Sequence, residues 1–146
     1  MQVFPRKDKK TSLKGILTFL IDPRIGPLIE DTFPYGLTSS SKMFSLTLEM
    51  ARHISSTLRS SSEDEIFRYL YLGDFGLVGV LLTFKESVEK WFSIIVLFNS
   101  DASTTIWRKR NKILKILREG MEMIKRGETR ARVLEDLYDK LVKIKI

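Results

Sequence analysis

The stretch Ile66-Phe-Arg-Tyr-Leu-Tyr-Leu-Gly73-Asp-Phe-Gly-Leu77-Val-Gly-Val-Leu-Leu-Thr-Phe84-Lys-Glu-Ser-Val-Glu-Lys-Trp91-Phe-Ser-Ile-Ile-Val-Leu-Phe98 decides the fold. It holds three apolar segments, 66–73, 77–84 and 91–98, separated by only three and six residues. A parallel crossover needs a dozen or more residues, so these connections predict antiparallel neighbours in a meander. The second and third segments are apolar at odd and even positions alike, as strands covered on both faces are. The first carries Arg68, Tyr69 and Tyr71, which suits an outer strand.

Upstream, Gly15-Ile-Leu-Thr-Phe-Leu-Ile-Asp22 is also apolar on both parities and predicts another strand inside the sheet. Asp22-Pro23-Arg24-Ile25-Gly26-Pro27 is dense in turn residues and predicts a tight hairpin. The return segment, 28–33, carries Glu30 and Asp31 and stops at Pro34, as an edge strand defended against foreign pairing would. The hydroxyl-rich stretch 35–42 offers a helix cap. Phe44, Leu48, Ala51, Ile54 and Leu58 then recur at helical spacing, predicting an amphipathic helix over 41–59 with that stripe inward.

Downstream, apolar residues at Ile113, Leu114, Leu117, Met121 and Ile124 predict one long helix from Ile106 that stops at Gly127. Thr129 is positioned to cap a last helix with Val133, Leu134, Leu137, Tyr138 and Leu141 inward. The order is β-β-α-β-β-β-α-α. Strands apolar on both faces need cover on both, so the expected fold is a three-layer α/β/α sandwich, an α/β (α+β) fold with a five-stranded, largely antiparallel sheet.

At 146 residues the chain suits one domain, expected over 14–146 behind a basic arm at 1–13. It has no cysteine, which removes disulfides, thiolate metal sites and thiol nucleophiles and fits a reducing, cytoplasmic setting. The apolar runs are too short for transmembrane helices, and 1–14 lacks the apolar core of a signal peptide.

The net charge of +7 is unevenly spread. Residues 1–14 hold five Lys/Arg and one Asp (+4), 15–105 hold seven against eleven acids (−4), and 106–146 hold thirteen against six (+7). Basic ends around an acidic middle point to an acidic partner, a nucleic acid, a membrane surface or another protein. Arg108, Lys109, Arg110, Lys112, Lys115 and Arg118 form the densest stripe, with Trp107 beside it, and are the candidate anion or nucleic-acid contacts.

Catalytic patterns do not assemble. His53 is the sole histidine, so neither a two-histidine metal site nor an obvious Ser-His-Asp triad can be built. Asp74-Phe75-Gly76 spells the magnesium-binding triplet of protein kinases, but no catalytic-loop motif precedes it, and a hairpin turn explains it. Glu30 and Asp31 are adjacent on a strand and so face opposite ways, while Glu63, Asp64 and Glu65 sit in a serine-rich loop. The expectation is a chain without enzymatic activity, cofactor or metal.

With its element order, the chain resembles the longin and roadblock group of profilin-like domains. The residues that carry the likeness are Ile16-Leu-Thr-Phe-Leu-Ile-Asp22, the Gly26-Pro27 turn and Phe33-Pro34. The resemblance implies a non-catalytic interaction platform that forms a homodimer or binds a related longin/roadblock-like domain, and that serves small-GTPase regulation. It further implies pairing through an edge strand and the first helix, which makes Phe67, Tyr69, Tyr71, Phe44 and Leu48 the candidate protein-interface residues. The alternative expectation is a nucleic-acid-binding protein that uses the basic arm and the C-terminal helices.

Overall fold

The structure, a computed structural model, describes residues 12–34, 41–59, 63–87 and 90–144. Strands β1 (Leu13–Asp22), β2 (Gly26–Phe33), β3 (Glu65–Leu72), β4 (Leu77–Ser87) and β5 (Lys90–Asn99) form one sheet in the order β2-β1-β5-β4-β3. Every pairing is antiparallel, so no parallel pair enters the sheet. The meander β3-β4-β5 lies as the short connections require, and β1 is seated beside β5, where Thr18 faces Ile94 and Phe19 faces Ser93. That placement makes β1, β5 and β4 the three inner strands, the same three whose sequences are apolar on both parities.

Helix α1 (Ser41–Arg59) covers one face of this sheet. The other face carries the short helix α2 (Ser103–Arg108), α3 (Arg110–Lys125) and α4 (Arg130–Val142). Alternate residues of each inner strand go to opposite cores: Ile16, Val80, Leu82, Ile94 and Val96 meet Ile113, Leu117, Leu134 and Leu137, while Leu17, Phe19, Leu81, Ile95 and Leu97 meet Leu46, Met50 and Ile54. Each such side chain contributes roughly 1.5–3 kcal/mol when fully withdrawn from water. The three-layer sandwich therefore follows from strands that need cover on both sides.

Two expectations about the helices need correction. The inward stripe of α1 is Leu46, Met50 and Ile54, all fully buried, whereas Phe44 and Leu48 are exposed. The helix has two apolar stripes, offset by two residues, and periodicity alone cannot say which one meets the sheet. The long helix expected from Ile106 is interrupted at Lys109, whose backbone (φ −101, ψ 15) leaves the helical range. Arg110 turns back there and donates from Nη1 to the Trp107 carbonyl at 2.7 Å, taking an acceptor that an unbroken helix pairs with the N–H four residues on.

The stop at Gly127 is a Schellman closure: at φ 89, Gly127 donates to the Ile124 carbonyl at 2.9 Å and Glu128 to that of Met123 at 3.1 Å. Thr129 stands at the N-cap of α4, where its carbonyl accepts from Val133 at 3.1 Å, but its hydroxyl makes no capping bond. Lys140 Nζ, 3.0 Å from Glu119 and 2.9 Å from Asp136, bridges α3 and α4, and these two carboxylates raise its pKa. The expected cap of α1 within 35–40 and the basic arm up to residue 11 lie outside the described residues.

Candidate functional site

Large exposed apolar side chains gather in two places, Ile25, Leu28 and Ile29 on the β1–β2 hairpin and Phe44 and Leu48 on α1. Phe44 is 62% and Leu48 54% exposed, one helical turn apart, on a helix whose opposite stripe is completely buried. A recess of about 500 Å³ separates α1 from the β3–β4 turn and is lined by Ser45, Glu49 and Arg52 on the helix and by Tyr71, Asp74 and Phe75 across from it. A second, of about 490 Å³, lies at the other end of α1, between Leu58 and Arg59 and the β1–β2 turn with Trp91. Along the helix itself Leu48, Ala51, Arg52 and Ser55 line a wider depression of about 710 Å³.

The walls of these recesses are held in place. The β3–β4 turn is a 3-10 turn over Gly73–Phe75, closed by Gly76 (φ 68) donating to the Gly73 carbonyl at 3.0 Å. Ser100 donates to the Gly76 carbonyl at 3.0 Å and ties the turn to the end of β5. Asp74-Phe75-Gly76 is thus a structural turn. At the other end, Asp22 Oδ1 accepts from the Arg24 and Ile25 backbone at 2.7 and 3.0 Å, and these donors, Ile25 foremost, lower the Asp22 pKa. On α1, Glu49 pairs with Arg52 and stands 3.5 Å from His53 Nε2, so the histidine belongs to a polar cluster along the helix.

The two sheet edges differ. β3 pairs with β4 over eight residues without a register shift, and no described strand pairs with its outer side. On β2 a bulge at Glu30 shifts the register, Asp31 Oδ1 accepts the Thr32 N–H at 2.9 Å, and Pro27 supplies no donor. These features interrupt the β2 edge as a pairing template. Glu30 is occupied by Arg130 of α4 at 2.9 Å, whose guanidinium lies 4.3 Å from the Phe92 ring centre. Glu30 and Asp31 therefore have separate structural roles.

Of the β3 interface candidates, Tyr71 is 71% exposed. Phe67 and Tyr69 are half-buried and pack against the core on the α2–α4 side. Tyr69 meets Trp107 edge-on at 5.5 Å and donates to the Ser103 carbonyl at 3.3 Å; burial raises its pKa.

The basic stripe divides. Arg118 bonds Glu65 through Nε at 2.6 Å, and Arg110 stacks 4.1 Å from the Trp107 ring centre, while Arg108, Lys112 and Lys115 are exposed. Lys109, at the helix break, is half-buried. The aromatic-cation pairing at Trp107 was legible only as adjacency in sequence. Among the described residues, no group of three His, Cys, Asp or Glu side chains forms a metal site. No helix among them is long and apolar enough to cross a membrane.

A five-stranded antiparallel sheet with one helix on one face and the C-terminal helices on the other is a longin-like fold. The solved structure that shows it is the K. lactis Lst4 longin domain, similar over 88% of this chain and 93% of that one, with a TM-score of 0.60 and 9% sequence identity. No protein-family model matches the sequence. No curated protein matches it either.

Proposed function

We propose that the chain is a non-catalytic, longin-type adaptor that docks a second copy of itself, or a related domain, through the outer face of α1 and the adjoining β3 edge. The observation that carries this reading is the Phe44–Leu48 stripe, left in water on a helix whose other stripe is fully buried. Paired exposed apolar side chains beside well-anchored recesses are what a protein interface uses as its centre. The uninterrupted β3 edge ends at Leu72, and residues 72–75 border the recess beside α1. The longin-like fold supports the adaptor role, and the resemblance drawn from the sequence adds small-GTPase regulation as its setting.

Light scattering on the full chain across a concentration series tests the self-association. The native chain should shift toward dimer mass, and Phe44→Asp with Leu48→Asp should weaken it by at least about thirty-fold, since truncating a central contact costs roughly 2 kcal/mol or more. The variant should keep the circular dichroism spectrum of the native chain. A strict monomer at high concentration that also fails to bind purified small GTPases in either nucleotide state would sink the proposal.

A further inference from the structure

We infer that the corner formed by α2 and the first turns of α3 is a docking surface for an anionic bilayer. It lies on the face of the sheet opposite α1 and does not rest on the dimer reading. Five cations, Arg108, Lys109, Arg110, Lys112 and Lys115, fall within eight residues, in a stretch from 102 to 118 that holds no acid. Among the described residues, Arg108, Lys109, Lys112 and Lys115 have no acidic partner, whereas Arg118 has Glu65. Arg108 suits the C-terminal end of α2, but helix stability does not account for the cations that follow it. Cations crowded at the start of α3 oppose its dipole, and neither that first turn nor its N-cap contains an acid.

Trp107 sits within this cluster and is 50% exposed. Its indole is nonetheless fixed in place: Tyr69 meets it edge-on, and Arg110 both stacks on its ring and bonds its carbonyl. A positioned indole among lysines and arginines matches the headgroup layer, where amphipathic rings sit at the level of the lipid phosphates and cations are drawn to acidic lipid. Nucleic acid fits less well. Single strands bind by stacking bases on open aromatic faces, and one face of this ring is already taken by a guanidinium.

The test is flotation of the full chain with vesicles of phosphatidylcholine alone or with about 30 mol% phosphatidylserine, at about 0.1 M and 0.5 M salt. The chain should bind the anionic vesicles at low salt, leave them at high salt and ignore the neutral ones. Lys112→Gln with Lys115→Gln should weaken binding about 25-fold, at roughly five-fold per cation. In a Trp91→Phe background, the emission of Trp107 should move to the blue on binding.

Equal binding to neutral vesicles, or unchanged Trp107 emission, would overturn the inference. So would binding that survives Lys112→Gln with Lys115→Gln but is lost when Lys9 and Lys10 become glutamine, because the arm would then be the contact. Displacement from the vesicles by an equal charge of single-stranded RNA would favour a nucleic-acid surface instead. Lys112 and Lys115 lie on α3, across the sheet from α1, so a failed dimer assay and a failed flotation of their glutamine variant are separate results.

Discussion

Leu46 and Leu48 lie two residues apart on α1, and their truncation separates the two apolar stripes of that helix. Leu46 is fully buried among Met50, Ile54 and the sheet, so Leu46→Ala removes three buried carbons and leaves a cavity. Such changes cost about 2–5 kcal/mol. At about 3 kcal/mol, and roughly 3 °C per kcal/mol for a chain of this size, the melting temperature should fall by about 10 °C. Leu48 is 54% exposed, so less than half of its burial free energy is at stake. Leu48→Ala should cost under about 1 kcal/mol, with alanine's better helix propensity offsetting part of it. Urea melts followed by far-ultraviolet circular dichroism give both values as midpoint shifts at constant slope. They are run at low protein concentration, because a dimer held through Leu48 would add its own stabilisation. A Leu48→Ala loss equal to or larger than that of Leu46→Ala would refute the phase of the helix and the docking face built on it.

Arg130→Ala and Glu30→Gln should each destabilise modestly, with a coupling of about 1 kcal/mol in a double-mutant cycle, since the pair is half-buried and the guanidinium also rests on Phe92; strict additivity would count against a latch between α4 and β2. Gly120→Ala should lose stability despite alanine's helix propensity, because a Cβ there would stand 2.8 Å from Leu137 Cδ1. In a Leu137→Ala background the same change should stabilise by about 1 kcal/mol, and thermal melts that show one sign in both backgrounds would contradict the packing. Asp22 has a folded pKa below its unfolded one, so its contribution is complete above the ordinary carboxylate range and is lost as pH falls through the folded value. Asp22→Ala should therefore flatten the acid limb of the stability–pH curve, and a carboxyl titration by NMR at the ordinary value would dispute the turn geometry.

The connections between residues 66 and 98 were short enough to dictate an antiparallel meander, and apolar residues on both parities placed β1, β4 and β5 inside a sheet. Local chemistry was also readable at the ends of elements, in Asp22 and the prolines of the first turn and in Gly127 after α3. The candidate site was legible in kind but not in detail. Phe44 and Leu48 could be named, yet their periodicity suited burial as well as docking. The exposed Tyr71 and the half-buried Phe67 and Tyr69 have the same parity in sequence, and only the helix packed beside Tyr69 separates them.

By itself, then, the sequence determined which segments are strands, which three of them need cover on both faces, where the tight turns fall and how the charge is divided. Those properties depend on neighbours a few residues away. Only the tertiary structure decided that β1 pairs with β5, that α1 turns Leu46 rather than Leu48 to the sheet, that Arg118 meets Glu65, and that α2 breaks from α3 around Trp107. Each of these is a choice between local arrangements of similar free energy, settled by surfaces far away in sequence that come together only when the layers pack.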